Sequence, residues 1–196
     1  MYALHSVPPH NASVRPRQAL VAIVYANEAY PQSTFEAIVE HCRGRGLRAA
    51  GALQHPVCSD AAGHCDVALE ELTTGRRTDL FEDRGPGAQG CRLDVAALAE
   101  VNAQVTRSLD AAPQVMILNK FGKVEAEGRG LLDLIAIAID RGIPVVIGVP
   151  IRNLEAWRKF AGGLSAEFSS DPSEAMDWLN RTFPVAIAQS PAPASC

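Results

Sequence analysis

The 196-residue chain has 18 basic and 22 acidic side chains, a formal net charge of −4, and 47% hydrophobic residues. This composition predicts a globular domain with a full core, and it excludes the broad positive field that draws proteins to nucleic acid. Five cysteines at irregular spacing are too few for a disulfide framework, and no apolar run approaches the length of a membrane span. The opening MYALHSVPPHNASVRPRQ has no apolar signal core. A reducing cytoplasm is therefore expected, where the sequon Asn11-Ala12-Ser13 is without meaning.

Residues 1–18 carry Pro, His and Arg without periodicity and are predicted to form a flexible arm before a single domain over 19–183. ALVAIVY, residues 19–25, reads as a fully buried strand. Ser33 or Thr34 is placed to cap a helix to about Arg43, with Phe35, Ile38 and Val39 on one face and Gly44 and Gly46 ending it. Residues 47–54 form the second expected strand. Residues 66–72 alternate, 73–76 turn, and 78–82 return, which predicts a hairpin. Asp94 can cap a helix to about Leu109. The apolar run 115–118 is a strand, 129–141 a helix ended by Gly142, and 144–149 another buried strand. Asn153 can cap the short helix NLEAWRKFA, closed by Gly162, and a last helix covers about 172–183 before a flexible tail at 184–196. Strands alternating with helices predict an α/β sandwich: a mostly parallel sheet, helices on both faces, and a hairpin insertion.

In such a sheet the ends of the strands bring residues 25–27, 54–55, 119–123 and 150–153 to one rim, where ligands bind. The chain has three lysines, and two of them, Lys120 and Lys123, stand on that rim. Their compact charges suit oxyanions, Gly122 permits close backbone approach, and Arg152 opens a helix whose amides favour anions. Asn27, Asn119 and Asn153 would add polar contacts. The bland alternative is a pair of solvated lysines beside Glu125 and Glu127, with Arg152 facing water and Asn153 a plain cap.

The run ILNKFGKVEAEGRG, with GCRLD before it and NLEAWRKFAGG after it, resembles a bacterial domain family of unknown function. That family is NTPase-like, related to the P-loop nucleoside-triphosphatases and linked with molybdate transport or molybdenum-cofactor metabolism. The resemblance spans about residues 19–163 and implies the three-layer P-loop-NTPase-like fold. Active P-loop enzymes follow their first strand with a glycine-rich loop ending Gly-Lys-Ser/Thr. Here that stretch is YANEAYPQST, without glycine or lysine, and Asn119-Lys120 stands where an Asp-Glu pair is usual. The resemblance thus implies a degenerate site that binds a phosphate-bearing ligand or an oxyanion without efficient hydrolysis. Nucleotide or molybdate is the expected bound group.

Two alternatives remain. One is a weak nucleoside-triphosphatase using Lys120, with Glu125 or Glu127 orienting water. The other is a metal-handling or redox module built on His55, Cys58, His64, Cys65 and the more distant Cys91, although H-x2-C-x5-H-C fits no common zinc module and a tightly held metal is not expected. Gly85-Pro86-Gly87-Ala88-Gln89-Gly90 fits G-x-G-x-x-G, but it follows a hairpin and Pro86 removes an amide, so an anion nest or a plain connection is preferred to a dinucleotide loop. Arg76 and Arg77 are expected to be solvated, and Phe121, Trp157 and Trp178 to pack. The expected partners are a small anionic ligand, a protein of molybdenum metabolism, and a second copy of the chain as a homodimer; neither nucleic acid nor membrane is expected.

Overall fold

The computed structural model describes residues 19–27, 29–57, 66–82 and 92–184. The first half runs β1 (Leu20–Tyr25), α1 (Gln32–Gly44), β2 (Ala49–Val57), β3 (Asp66–Glu71), β4 (Arg77–Asp79), β5 (Phe81–Glu82), β6 (Arg92–Leu93) and α2 (Val95–Ser108). The second half runs β7 (Val115–Lys120), α3 (Lys123–Ala126), α4 (Leu132–Asp140), β8 (Val145–Pro150), α5 (Leu154–Ala161), β9 (Ser165–Phe168) and α6 (Pro172–Thr182). A seven-stranded sheet has the order β4-β3-β2-β7-β8-β1-β9, and β5 pairs with β6 apart from it. The pairs β2–β7, β7–β8, β8–β1 and β1–β9 are parallel, while β2–β3 and β3–β4 are antiparallel.

The parallel strands are apolar on both sides because helices cover both sides. Leu20 and Ala22 of β1 join Met116, Leu118, Val105, Leu134, Ile135 and Trp157 in one core, beneath α2, α4 and α5. Val21 and Ile23 face the opposite way, packing with Phe35, Ile38, Val39, Trp178 and Leu179 of α1 and α6. The result is the expected three-layer α/β sandwich. Asp94 caps α2 as expected, accepting from the amides of Ala96 and Ala97 at 2.8 and 2.9 Å.

Several expectations are corrected. α1 begins at Gln32, with Pro31 at its cap position and no side-chain cap. The Thr34 hydroxyl instead donates to the carbonyl of Ser170 at 2.5 Å, joining α1 to the loop before α6. The return of the hairpin divides: residues 77–79 pair with β3, but 81–82 pair with β6. α4 starts at Leu132, three residues later than expected, because Gly128 and Gly130 hold left-handed conformations (φ +84° and +70°) that interrupt a helix. β9 was not anticipated. Among the described residues no helix is long and apolar enough to cross a membrane.

Candidate functional site

Because β1, β2, β7 and β8 are mutually parallel through their neighbours, their carboxyl ends share one edge of the sheet. The end of β7 is irregular there. Leu118 pairs with Ile147 and Lys120 with Gly148, which leaves Asn119 as an extra residue in a bulge. Bulges of this kind re-aim side chains. The bulge requires glycine opposite it, since a Cβ on Gly148 would lie 2.6 Å from the Asn119 carbonyl oxygen. Asn119 and Lys120 both line a cavity of about 240 Å³, together with Gln54 of β2 and the loop from Gly122 to Glu125. Its remaining wall is mainly apolar: Val67, Leu69, Leu80, Leu93, Leu98 and Leu131. Asn119 is 6% exposed, and its Oδ1 has no hydrogen-bond partner among the described residues; the same holds for Oε1 of Gln54. Buried polar atoms are rarely left this way.

The loop after β7 is held by Glu125. One of its carboxylate oxygens accepts from the Gly122 amide at 2.9 Å and the other from the Leu131 amide at 3.1 Å. Gly130 makes room for this clasp, because a Cβ there would meet Oε1 of Glu125 at 2.1 Å. Glu125 therefore fixes the loop that carries Lys123, and both of its oxygens already serve that role. Glu127 turns outward to Arg129 at 2.6 Å, with the 90% exposed Lys123 side chain 3.9 Å away. Exposed pairs of this sort contribute little.

Beyond β1 and β8 a second cluster forms. Oδ1 of Asn27 accepts from the Arg152 amide at 3.1 Å. Burial pushes the Tyr25 phenol up to about 12, opposed in part by the nearby Arg152 guanidinium. Tyr25 meets Tyr30 edge-on at 5.8 Å, and Tyr30 stacks on Phe35 at 5.3 Å. Burial, with Tyr25 and Glu36 close by, holds the Tyr30 phenol well above its ordinary range. The connection from β1 into α1 is thus an aromatic stack ending in Pro31, which has no amide proton to offer an anion.

Asn119, Lys120, Gly122 and Lys123 therefore meet at the cavity, while Asn27 and Arg152 contact each other beyond the neighbouring strands. Asn153 joins the two regions: its Nδ2 donates to the Phe121 carbonyl at 2.9 Å, so its side chain does not cap α5 as expected. Phe121 packs edge-on against Trp157 at 5.3 Å, and Arg76 and Arg77 pair with Glu100 and Glu70. His55 lies on the α1 side of β2, its Nε2 3.0 Å from Oε2 of Glu70. Cys58, His64, Cys65, Cys91 and the 85–90 glycine motif lie outside the described residues. Among the described residues no group of three or more His, Cys, Asp or Glu is placed to hold a metal ion. Gln54 was placed on the rim by the sequence but given no ligand role, and the apolar wall was not anticipated. The available signal was a glutamine on the face of β2 that Ala50 and Ala52 give to the core.

Residues 20–178 match the family described as "Protein of unknown function (DUF2478)". The chain belongs to this family. It is also 36% identical over 139 residues to the molybdenum import ATP-binding protein ModC 2 of Bradyrhizobium diazoefficiens. That alignment takes in 70% of the present chain but 15% of the relative, so the relative's name describes a much larger protein. Among solved structures, THEP1 from the hyperthermophile Aquifex aeolicus superposes with a TM-score of 0.55 over 82% of this chain and 96% of its own, at 16% identity. This likeness shows the fold. The DUF2478 chain has the P-loop-like α/β architecture that its sequence resemblance implied, and it is similar to a small part of a molybdenum import ATP-binding protein.

Proposed function

We propose that this DUF2478 protein binds a small anionic ligand at the carboxyl end of β7, in a P-loop-like fold whose usual phosphate loop has been replaced. The ligand carries a phosphate or is itself an oxyanion, and it is held without efficient hydrolysis. One observation carries this reading: Lys120 and Lys123, two of the chain's three lysines, line one cavity at the carboxyl end of β7, beside the buried Asn119. A lysine and an amide there can hold charge but supply no carboxylate to position magnesium or to accept a proton. Of the two carboxylates named as water-orienting groups, Glu125 accepts from two backbone amides and Glu127 pairs outward with Arg129, which favours binding over a weak nucleoside-triphosphatase. The distant ModC 2 relative makes molybdate one candidate oxyanion and molybdenum metabolism the pathway to test first.

Calorimetry with phosphate, molybdate and AMP provides the test. A charge-assisted contact contributes about 1.5–3 kcal/mol, so Lys120→Ala should lower affinity roughly tenfold or more. Lys159→Ala, on α5, should change it little. Equal losses in both variants, or none in either, would remove Lys120 from the site.

A further inference from the structure

Lys120 and Lys123 stand on either side of a short segment, Phe121-Gly122, in the loop after β7. The peptide that joins Phe121 to Gly122 is held at both ends. Its N–H, on Gly122, donates to Oε2 of Glu125 at 2.9 Å, and its carbonyl, on Phe121, accepts from Nδ2 of Asn153 at 2.9 Å. The Phe121 amide donates to the Gly148 carbonyl at 2.7 Å, and the Phe121 ring is buried edge-on against Trp157. β8, α3 and the chain entering α5 therefore all grip this segment. Asn153 is itself seated: Oδ1 of Asn27 accepts from the amide of its neighbour Arg152 at 3.1 Å, which ties the turn Ile151–Asn153 to the end of β1.

Resting on the anion-binding reading above, we infer that Asn153 is a positioning residue for the anion site. It does not touch the ligand. It fixes the peptide between Lys120 and Lys123, and so the spacing of the backbone points from which their ammonium groups reach the cavity. A lysine is a point charge on a flexible stem, so a site built on lysines either fixes their backbone beforehand or loses binding free energy in ordering it. Gly122 raises the need, because a residue without a Cβ has wide backbone freedom. Glu125 alone is not enough: its bond to the Gly122 N–H leaves the peptide able to swing about that contact, and a second bond at the carbonyl stops the swing. Asparagine at the start of a helix ordinarily caps it. Here α5 receives no side-chain cap from Asn153, whose carboxamide is turned to the lysine loop instead.

The test titrates the whole chain with inorganic phosphate and with molybdate. Asn153→Ala and Asn153→Ser are each too short to reach the Phe121 carbonyl, and serine also favours the start of a helix. Both should weaken binding roughly three- to tenfold, and agreement between them separates the loss from any change in α5. In a Lys120→Ala background the further loss should shrink, because a residue that acts through Lys120 has less left to place. The amide nitrogen resonance of Gly122, which shares the peptide with that carbonyl, should move in both unliganded variants, a signature that a general loss of stability does not give. If Lys120→Ala weakens binding but the Asn153 variants do not, or if they weaken it equally in both backgrounds, the positioning role is overturned and the anion site stands. If neither probe saturates the wild-type chain, both are overturned.

Discussion

Glu71 is 1% exposed at the turn between β3 and β4, an unusual place for a carboxylate. Burial raises its pKa, but hydrogen bonds from Oγ1 of Thr74, Oγ of Ser108 and the amides of Thr73 and Thr74 outweigh burial and bring it below the ordinary value. A carboxylate depressed in the folded state contributes stability that is complete above its unfolded pKa, roughly 4.3, and is lost as pH falls through the lower folded value. Glu71→Gln should therefore destabilise the chain by about 1–3 kcal/mol at pH 7, and its difference from the wild type should shrink as pH drops below about 4. Urea midpoints measured across pH 3–7 check this; a difference independent of pH would contradict it. The role was hidden in the sequence because Ser108 lies 37 residues away. Thr34 and Asn153 were misread for the same reason. Asn153 stands at the cap position of α5 and Thr34 in the first turn of α1, yet each spends its side chain on a distant carbonyl, that of Phe121 or of Ser170. Local pattern shows which polar residues can cap, but not which distant acceptor competes for them.

At the scale of elements, apolar runs without alternation marked β1, β7 and β8 as buried from both sides, and the structure keeps them so. β9 escaped notice because four residues, SAEF, at the edge of a sheet carry too short a pattern to register. The division of the hairpin return between two sheets depends on pairing with β6, which local sequence does not encode. The most consequential element is the connection from β1 to α1. Its sequence already lacked glycine and lysine, and the structure adds that Tyr30 stacks on Phe35 within it and that Pro31 precedes the first turn of α1. Phosphate-holding loops work through convergent backbone amides; among the described residues of this connection, the amides of Ala29 and Gln32 are already bonded to the carbonyls of Ala26 and Tyr30. The pure protein should accordingly show no magnesium-dependent release of phosphate from ATP or GTP above background. Turnover that Lys120→Ala abolishes would contradict this and point to a lysine-based hydrolase.

For the molecule as a whole, the three-layer architecture and the family were legible from strand order and from the run after β7, and the likeness to THEP1 agrees on the fold. The candidate site was half legible. Charge scarcity drew attention to Lys120 and Lys123, but the cavity beside them is formed by β3, β6, α2 and the start of α4 as well as β7, and only folding brings those apolar side chains together. Arg152 and Asn27, expected at the same site, contact each other across the ends of β8 and β1 through the Arg152 amide. In the proposed function the ligand sits at the end of β7 and not at the connection into α1. An amide NMR titration of the labelled chain with AMP and with inorganic phosphate tests that directly. The predicted result is ligand-dependent shifts concentrated at Gln54, Asn119, Lys120, Gly122 and Lys123. Shifts confined to Ala29, Tyr30 and Gln32, or no saturable shifts at all, would contradict it.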